Sequence, residues 1–292
     1  MGVIPGLDLG LAQRVAVDAV SAAGTLLGRQ AHGDLGVRGK GSAGDVVTDL
    51  DISAERLILD RIRTAFPEHR IIAEEAGRLG AEDAEWTWLV DPLDGTNNLA
   101  VALPTYVVGV ALCRDRLPVL GVVHDPVTCR TWQATRGGGA FGPDLQLLQP
   151  PLRTHPAGPL IAWTQGYSVP RDDATAGALK IVLEQSARRV FQLWTPLLSL
   201  VMLARGDIDA MVGYHAEEVD LPAGALIAAE AGIVLYGLDG APFDERIGRP
   251  QVDRSFVACR PEHLDRMLEL VHTAERIVPD IKGLMARLPA KL

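Results

Sequence analysis

The chain has few of the residues that mark secreted or zinc-binding proteins. Its 292 residues include only three cysteines, Cys113, Cys129 and Cys259, and none of them stands in a Cys-x-x-Cys pair. An odd number of widely spaced thiols predicts neither a disulfide framework nor a structural zinc site. The seven histidines also lack the paired spacing of metal ligands. These absences favour a reduced, cytoplasmic protein.

Long apolar runs and basic clusters are scarce as well. No segment stays apolar for the ~18 residues that a membrane span needs, and the first 30 residues lack a basic stretch followed by an apolar core. A formal net charge of −9 without a basic patch argues against nucleic acid or an anionic membrane as a partner. With 48% hydrophobic residues and no internal repeat, the sequence predicts a globular protein with a large core.

An acidic motif is the most informative feature that is present. Asp91 and Asp94 stand three residues apart in the string Asp-Pro-Leu-Asp-Gly-Thr. Carboxylates placed so close repel each other unless a cation lies between them, and hard oxygen ligands favour Mg²⁺ or Mn²⁺ over Zn²⁺. Asp-Pro and Asp-Gly alone would be ordinary turn dipeptides. Because the complete string is rare, we favour a metal site.

The neighbours of the motif predict how it is held. Residues 86–90 are typical of a buried strand, and we expect Pro92 to end it. Asp94, Gly95 and Thr96 have the turn and capping chemistry that begins a helix. Free N–H groups at such a helix start can bind an anion. The motif therefore predicts a metal site with a place for phosphate beside it.

Apolar spacing predicts two helices and then a sheet in the first half. Residues 8–30 and 51–66 have helical spacing, and Asp51 is an N-cap or a first-turn acid of the second helix. A short helix is expected at 97–102, after the acidic motif. Short apolar runs predict an antiparallel sheet with strands at 86–91, 106–113, 119–125 and 131–135.

The second half alternates between strands and helices, which is an α/β rhythm. The proline-rich segment 142–159 is typical of a connector. We therefore predict an α+β part at residues 1–150 and an α/β part at residues 151–292. Strands are predicted at 160–164, 208–213, 233–236 and 255–259, and helices at 174–186, 195–204, 221–231 and 261–277.

The acidic motif resembles the Asp-Pro-(Ile/Leu)-Asp-Gly-Thr signature of the inositol monophosphatase family, whose members are Mg²⁺-dependent, lithium-sensitive phosphatases. Other segments are similar to family motifs and occur in the family's order; they are residues 44–51, 71–75, 137–141, 219–225 and 240–244. The resemblance covers most of the chain. It implies a layered αβαβα sandwich whose two parts meet at the metal site, and a homodimer.

The resemblance implies a role for each acidic residue. Glu74, Asp91 and the backbone carbonyl of Leu93 would hold a first Mg²⁺, and Asp91, Asp94 and Asp220 would hold a second. Asp91 would then bridge two ions about 4 Å apart. A third, weaker ion near Glu74 is also implied, and Mn²⁺ could replace Mg²⁺.

The same resemblance implies which residues orient the water and bind the phosphate. Glu74 and the Thr96 hydroxyl would orient a water, with Asp51 hydrogen-bonded to Thr96. The N–H groups of Gly95 and Thr96 would hold phosphate oxygens. Lys40 matches a basic position in a loop that moves in the family.

Several of these assignments have a structural alternative. Asp51 and Asp220 could be helix caps and nothing more. Glu74 or Glu75 could be a solvated surface charge, so that either of them could be the ligand. Lys40 could be a solvated surface lysine.

The expected substrate wall departs from the family pattern. Gly213 stands where inositol-selective members carry a glutamate, and Val219 replaces the usual tryptophan before the second-signature aspartate. Trp194 lies where those members have small residues, and Asn97 replaces a common threonine. The implied metal ligands are all present, so the reaction and the substrate have to be predicted separately.

An indole offers a flat apolar face, so we predict that a nucleotide- or imidazole-bearing phosphomonoester is a better substrate than myo-inositol 1-phosphate. The alternative is that Trp194 packs in the core and that His215, Glu217 or Glu218 supplies the missing carboxylate. The predicted substrate contacts are Asp94, Gly95, Thr96, Asn97, Trp194 and Asp220.

The sequence therefore predicts Mg²⁺-dependent hydrolysis of a small phosphate monoester. A different class of function is open too, because some bacterial family members act by binding the transcription machinery. Intact carboxylates argue against a purely binding role, and the lack of a basic patch argues against direct RNA contact.

Overall fold

The computed structural model describes residues 7–40, 44–151, 155–249 and 251–287. Its helices are α1 (Leu9–Gln30), α2 (Asp49–Ala65), α3 (Thr96–Ala100), α4 (Ala174–Ser186), α5 (Pro196–Arg205), α6 (Pro222–Glu230) and α7 (Leu264–Met285). Its strands are β1 (Arg38–Lys40), β2 (Asp45–Val47), β3 (Arg70–Ala73), β4 (Gly77–Leu79), β5 (Trp86–Asp94), β6 (Val107–Arg114), β7 (Leu117–Asp125), β8 (Arg130–Thr135), β9 (Gly139–Phe141), β10 (Leu160–Gln165), β11 (Arg189–Phe191), β12 (Ala210–Tyr214), β13 (Val234–Gly237) and β14 (Phe256–Cys259). Among the helices described, none is long and apolar enough to cross a membrane.

The strands form two mixed sheets and one small hairpin. The larger sheet has the order β4-β3-β5-β6-β7-β8-β9, and every neighbouring pair is antiparallel except β3 and β5. The smaller sheet has the order β11-β10-β12-β14-β13, with β10 parallel to both of its neighbours. Strands β1 and β2 pair with each other. The four strands predicted for the first sheet, β5 to β8, pair antiparallel as expected. The one parallel pair joins β5 to β3, a strand that was not predicted.

The helices cover the sheets in five layers. Helices α1 and α2 pack on one face of the larger sheet, α5 and α6 lie between the two sheets, and α4 and α7 cover the outer face of the smaller sheet. Side chains alternate between these layers, as strand geometry requires. Trp88 packs with α1 and α2, and the next residue, Leu89, packs with α5 and α6. The predicted αβαβα sandwich is confirmed.

Helix α2 begins two residues earlier than the sequence predicted. The Thr48 side chain accepts from the N–H groups of Leu50 and Asp51, and Asp51 in turn accepts from the Thr48 N–H. This reciprocal arrangement is a capping box. Thr48 is therefore the N-cap, and the prediction that Asp51 could be the N-cap is wrong. Asp51 is a first-turn acid and is fully buried.

Pro92 does not end strand β5, contrary to the prediction. The strand continues to Asp94, and its register with β6 shifts because three steps from Asp91 to Asp94 oppose two steps from Gly109 to Val107. This extra residue is a β-bulge, where proline is tolerated. In a regular strand, residues three apart face opposite sides. The bulge instead lets both aspartates line one cavity.

The remaining differences lie in short or terminal segments. Strands β1 to β4, β9 and β11 were not predicted, and they have only three or four residues each. Helix α7 starts at Leu264 and runs past the predicted end at residue 277 to Met285, with Pro279 inside it. Part of the predicted connector, residues 152–154, lies outside the described residues. The division at residue 150 stays a prediction.

Candidate active site

A cavity of about 350 Å³ opens where both sheets and three helices meet. The end of β5, the start of α3 and the segment after β3 contribute from the first half, and the ends of β10 and β12 and the starts of α5 and α6 contribute from the second. Every predicted ligand and substrate contact lines it: Glu74, Asp91, Leu93, Asp94, Gly95, Thr96, Asn97, Trp194 and Asp220.

Asp91 and Asp94 are buried, and each is fixed by a backbone donor. Oδ1 of Asp91 accepts from the Leu93 N–H at 3.1 Å, and Oδ2 of Asp94 accepts from the Leu197 N–H at 2.7 Å. Leu197 lies in the first turn of α5, where a carboxylate is stabilised by the helix dipole. Burial, followed by repulsion from Glu74 and Asp94, raises the pKa of Asp91 well above its usual value.

Asp220 is only partly exposed and lies just before helix α6. The N-cap of that helix is Leu221, which makes no side-chain capping bond, so the alternative that Asp220 is a helix cap has no support in the geometry. Burial raises the pKa of Asp220 to about 8, with repulsion from Glu74 and Glu217 adding to it. Burial and then repulsion from Asp220 likewise raise the pKa of Asp94.

Glu74, the remaining carboxylate of the cluster, is paired with Lys40. The lysine Nζ lies 2.9 Å from Glu74 Oε1 and 2.7 Å from Glu75 Oε1, so Lys40 is not a solvated surface lysine. Burial would lower the pKa of Lys40, but the two carboxylates outweigh it and raise that pKa. Burial raises the pKa of Glu74 to about 7 despite the lysine. Glu74 lines the cavity and Glu75 does not. Gly39 and Gly41 flank Lys40, which suits a segment that moves, but Gly41 lies outside the described residues.

Thr96 and Asp51 are joined at the edge of the cluster. Thr96 Oγ1 lies 2.7 Å from Asp51 Oδ1 and 2.9 Å from the Leu93 carbonyl oxygen. A hydroxyl has one proton, so Thr96 donates to one of these oxygens at a time and keeps lone pairs to accept with. Burial, partly offset by hydrogen bonds from Thr48 and Thr96, raises the pKa of Asp51.

The helix after the motif differs from the prediction. Helix α3 has only five residues, and its N-cap is Gly95 with φ of 106° and no side-chain capping bond. Asp94 therefore does not cap it and bonds to α5 instead. A Cβ on Gly95 would lie 2.3 Å from Thr195 Cγ2 and 2.9 Å from the Thr105 carbonyl oxygen. Only glycine fits both this φ and this space.

Comparison with known proteins identifies the chain's relatives. The model of the Inositol monophosphatase family matches residues 10–276. The chain belongs to the inositol monophosphatase family. An inositol-1-monophosphatase from Mycobacterium leprae is 38% identical over 218 residues, which cover 72% of this chain and 73% of that protein. Nus factor SuhB from Pasteurella multocida is 31% identical over 228 residues, 77% of this chain and 85% of the relative.

Solved structures agree with this family assignment. The structure of the Thermotoga maritima IMPase aligns with a TM-score of 0.77 at 25% identity. The alignment covers 92% of this chain and 98% of the Thermotoga chain. The family fold expected from the motifs is therefore confirmed by sequence and by structure.

A neighbouring strand explains one departure from the family pattern. Gly213 lies in β12 opposite Phe256, and a Cβ there would come within 2.3 Å of the Phe256 ring. A glutamate at this position would therefore collide with the ring. Of the three residues that could replace its carboxylate, Glu218 pairs with Arg254 and His215 with Asp253. The third, Glu217, lines the cavity.

Trp194 is at the cavity surface and not in the core. Its side chain is 47% exposed, so the core-packing alternative is wrong. Its φ of 54° is a conformation that L-residues adopt at a cost of about 1–3 kcal/mol and that clusters at functional sites. Two other lining residues are joined by a hydrogen bond, in which Asn97 donates from Nδ2 to the Tyr167 hydroxyl at 2.7 Å. These three side chains form part of the wall.

The motifs did not predict several residues of the cavity wall. Asp45, Gln165, Tyr167, Arg171 and Gln192 also line it. Most of them come from loops without a recurring motif, so no local pattern signals them. Asp45 is an exception, since it belongs to one of the family-like segments.

The residues at the cavity fit a divalent cation. Within the described ranges, no three His, Cys, Asp or Glu side chains converge closely enough to form a ready-made metal site. Asp91, Asp94 and Glu74 instead bond to Leu93, Leu197 and Lys40. Their oxygens are nevertheless hard donors, and their raised pKa values reflect burial and mutual repulsion that positive charge would relieve.

Gly95→Ala tests the tight turn at the motif. We expect the free energy of unfolding to fall by at least about 1 kcal/mol more than in Gly232→Ala, because a methyl group at Gly95 adds a clash to the backbone strain. Gly232 also has a positive φ, of 91°, but nothing lies within 4 Å of its Cβ position. Urea unfolding of both variants measures the difference. Equal losses of unfolding free energy in the two variants would show that the clash is relieved without cost.

Proposed function

We propose that the chain hydrolyses a small phosphate monoester with divalent cations bound at the cavity. The supporting observation is that Glu74, Asp91, Asp94 and Asp220 line one cavity. Burial and then repulsion within this group raise the pKa values of Asp91, Asp94 and Asp220. In this proposal, Glu74, Asp91 and the Leu93 carbonyl hold one Mg²⁺ or Mn²⁺, and Asp91, Asp94 and Asp220 hold another. When bound, these ions supply positive charge to the phosphate and to the attacking water.

The chain's own residues would position the water and receive its proton. Thr96 Oγ1 donates to Asp51 Oδ1 in the proposed arrangement, so its lone pairs can accept from a water. The proton can pass through Thr96 to Asp51, whose pKa is raised by burial and so suits it to hold a proton. Glu74 orients the same water, and the N–H groups of Gly95 and Thr96 donate to phosphate oxygens.

The Trp194 indole would contact the leaving group of the substrate. An exposed aromatic side chain at a cavity mouth offers a flat apolar surface for stacking. Glu217 would supply a carboxylate that a hydroxyl or an amine of the leaving group can bind. The proposal thus combines an aromatic or heterocyclic leaving group with polar contacts, and it includes the homodimer that the family resemblance implies.

Phosphate release from a panel of phosphomonoesters, with and without Mg²⁺, tests the proposed reaction and its substrate class. We expect Mg²⁺-dependent release, with a higher kcat/KM for nucleotide- or imidazole-bearing monoesters than for myo-inositol 1-phosphate. A clear preference for inositol phosphate would contradict the substrate class. No release from any substrate would contradict the reaction itself.

A second function is favoured by the similarity to Nus factor SuhB of Pasteurella multocida. This chain would then act by binding a component of the transcription machinery. Binding to purified RNA polymerase, measured for the natural protein and for a variant without phosphatase activity, separates the two functions. Tight binding by both proteins, combined with no turnover by the natural one, would favour the regulatory function.

Asp91→Asn tests the bridging ligand. We expect turnover to be nearly abolished and the Mg²⁺-induced rise in Tm to shrink, because an amide is a poorer ligand for a hard cation. Without Mg²⁺, the variant should be the more stable protein, since one repelling charge is gone while the oxygen can still accept from Leu93. Asp60→Asn on the exposed face of α2 is the control. Natural turnover by Asp91→Asn at saturating Mg²⁺ would refute the bridging role.

Thr96→Ala tests the positioned hydroxyl. We expect kcat to fall about ten- to a thousandfold, the range typical of losing one positioned proton-transfer or hydrogen-bonding group. Mg²⁺ affinity, measured by calorimetry, should change little. Thr96→Ser keeps the hydroxyl and should restore most of the rate. Loss of Mg²⁺ binding with turnover preserved would contradict this role.

A further inference from the structure

The charge of the cavity is almost entirely negative. Six carboxylates line it: Asp45, Glu74, Asp91, Asp94, Glu217 and Asp220. Among the described lining residues, the only Lys or Arg is Arg171. The nearby Lys40 is already engaged by Glu74 and Glu75. A single guanidinium in the lining of so acidic a cavity therefore needs an explanation.

Arg171 is not committed to any carboxylate of the described chain. It forms no ion pair within the described ranges, and its side chain is exposed. A guanidinium presents a planar set of donors that matches carboxylate and phosphate oxygens in pairs. Its donors are available to a ligand in the cavity.

The loop that carries Arg171 is fixed at both ends. At its start, the Gly166 N–H donates to the Tyr214 carbonyl at 3.0 Å, and a Cβ on Gly166 would lie 2.0 Å from the His215 carbonyl oxygen. At its end, Asp173 donates from N–H to the Pro170 carbonyl and caps α4 by accepting from Ala176. The backbone at Arg171 is thus preorganised, which lowers the entropic cost of binding.

The same loop carries another part of the cavity wall. Tyr167 lies four residues before Arg171 and accepts the hydrogen bond from Asn97, so the loop is tied to the start of α3 beside the acidic motif. Buried Val169 anchors the segment between them in the outer core of the smaller sheet. Arg171 is therefore held at the cavity by contacts to both halves of the chain.

We propose that Arg171 binds a second anionic group, a carboxylate or a further phosphate, on the leaving group of the substrate. This rests on the proposed phosphatase function. Six cavity carboxylates would repel such a group if no cation lay near it. The predicted substrate is then a phosphomonoester whose organic part contacts Trp194 and ends in an oxyanion at Arg171.

Matched aryl phosphates test this inference. The 3- and 4-carboxyphenyl phosphates are compared with the 3- and 4-carbamoylphenyl phosphates, which have nearly the same shape without the charge. Phenylene 1,3- and 1,4-bisphosphates test a second phosphate as the alternative source of the charge. The enzymes are the natural protein, Arg171→Gln, Arg171→Lys and the control Arg56→Gln, which removes the same charge from an exposed site on α2.

We expect Arg171→Gln to lower kcat/KM about ten- to a hundredfold for the carboxylates or the bisphosphates, mainly through KM. Its kcat/KM for the amides should stay within about twofold. Arg171→Lys should recover part of the loss, and Arg56→Gln should show none. Comparing kcat/KM for the carboxylates with kcat/KM for the bisphosphates shows which anion is preferred.

Two outcomes would overturn the inference. If Arg171→Gln left the ratio of kcat/KM for the anionic substrates to kcat/KM for the amides unchanged, Arg171 would not bind the second anion. An equal loss for all substrates would show that it binds the shared phosphate or supports the fold. Both outcomes leave the phosphatase function intact. An absence of Mg²⁺-dependent release from every compound would instead overturn the proposed function and, with it, the inference.

Discussion

Repulsion between carboxylates held in one cavity is the constraint around which this molecule is arranged. Asp91 and Asp94 are buried, and each accepts a hydrogen bond from a backbone N–H group. Glu74 is paired with Lys40. Each of these donors offsets part of the cost of burying a charge and leaves oxygens available to a cation. The elements that supply the donors are β5 itself, the start of α5 and the β1–β2 hairpin. Parts of the chain that are distant in sequence therefore meet at the acidic cluster.

Local signals in the sequence were sufficient to predict the longer elements. Helices α1 and α4 were predicted almost to the residue, because their apolar spacing is regular. In the structure Asp8 and Asp173 cap them. The short strands β3, β4 and β11 were missed, because three or four residues carry no periodicity and pairing with distant segments decides their conformation. The bulge in β5 was missed for the same reason, because only the pairing register with β6 reveals it.

The candidate site likewise contains some residues that sequence motifs predict and others that only the fold brings together. Glu74, Asp91, Asp94 and Thr96 were predicted because they lie in contiguous motifs, and all four line the cavity. Glu217 was named only as one of three residues that could supply the missing carboxylate, and Arg171 was not predicted. Both follow the ends of strands, Arg171 after β10 and Glu217 after β12. Phe256 fills the space beside Gly213, and sequence spacing does not report such a contact.

The two oxygens of Asp51 serve different parts of the molecule. Oδ2 accepts from the Thr48 N–H in the capping box of α2, and Oδ1 accepts from the Thr96 hydroxyl. Fraying of the first turn of α2 would therefore also break the Thr96–Asp51 bond, because both bonds depend on one buried side chain. The Thr96 hydroxyl would then be left with the Leu93 carbonyl oxygen as its acceptor. Opening of this helix end, which hydrogen exchange of the first-turn amides reports, is thus coupled to the direction in which a hydroxyl at the cavity donates.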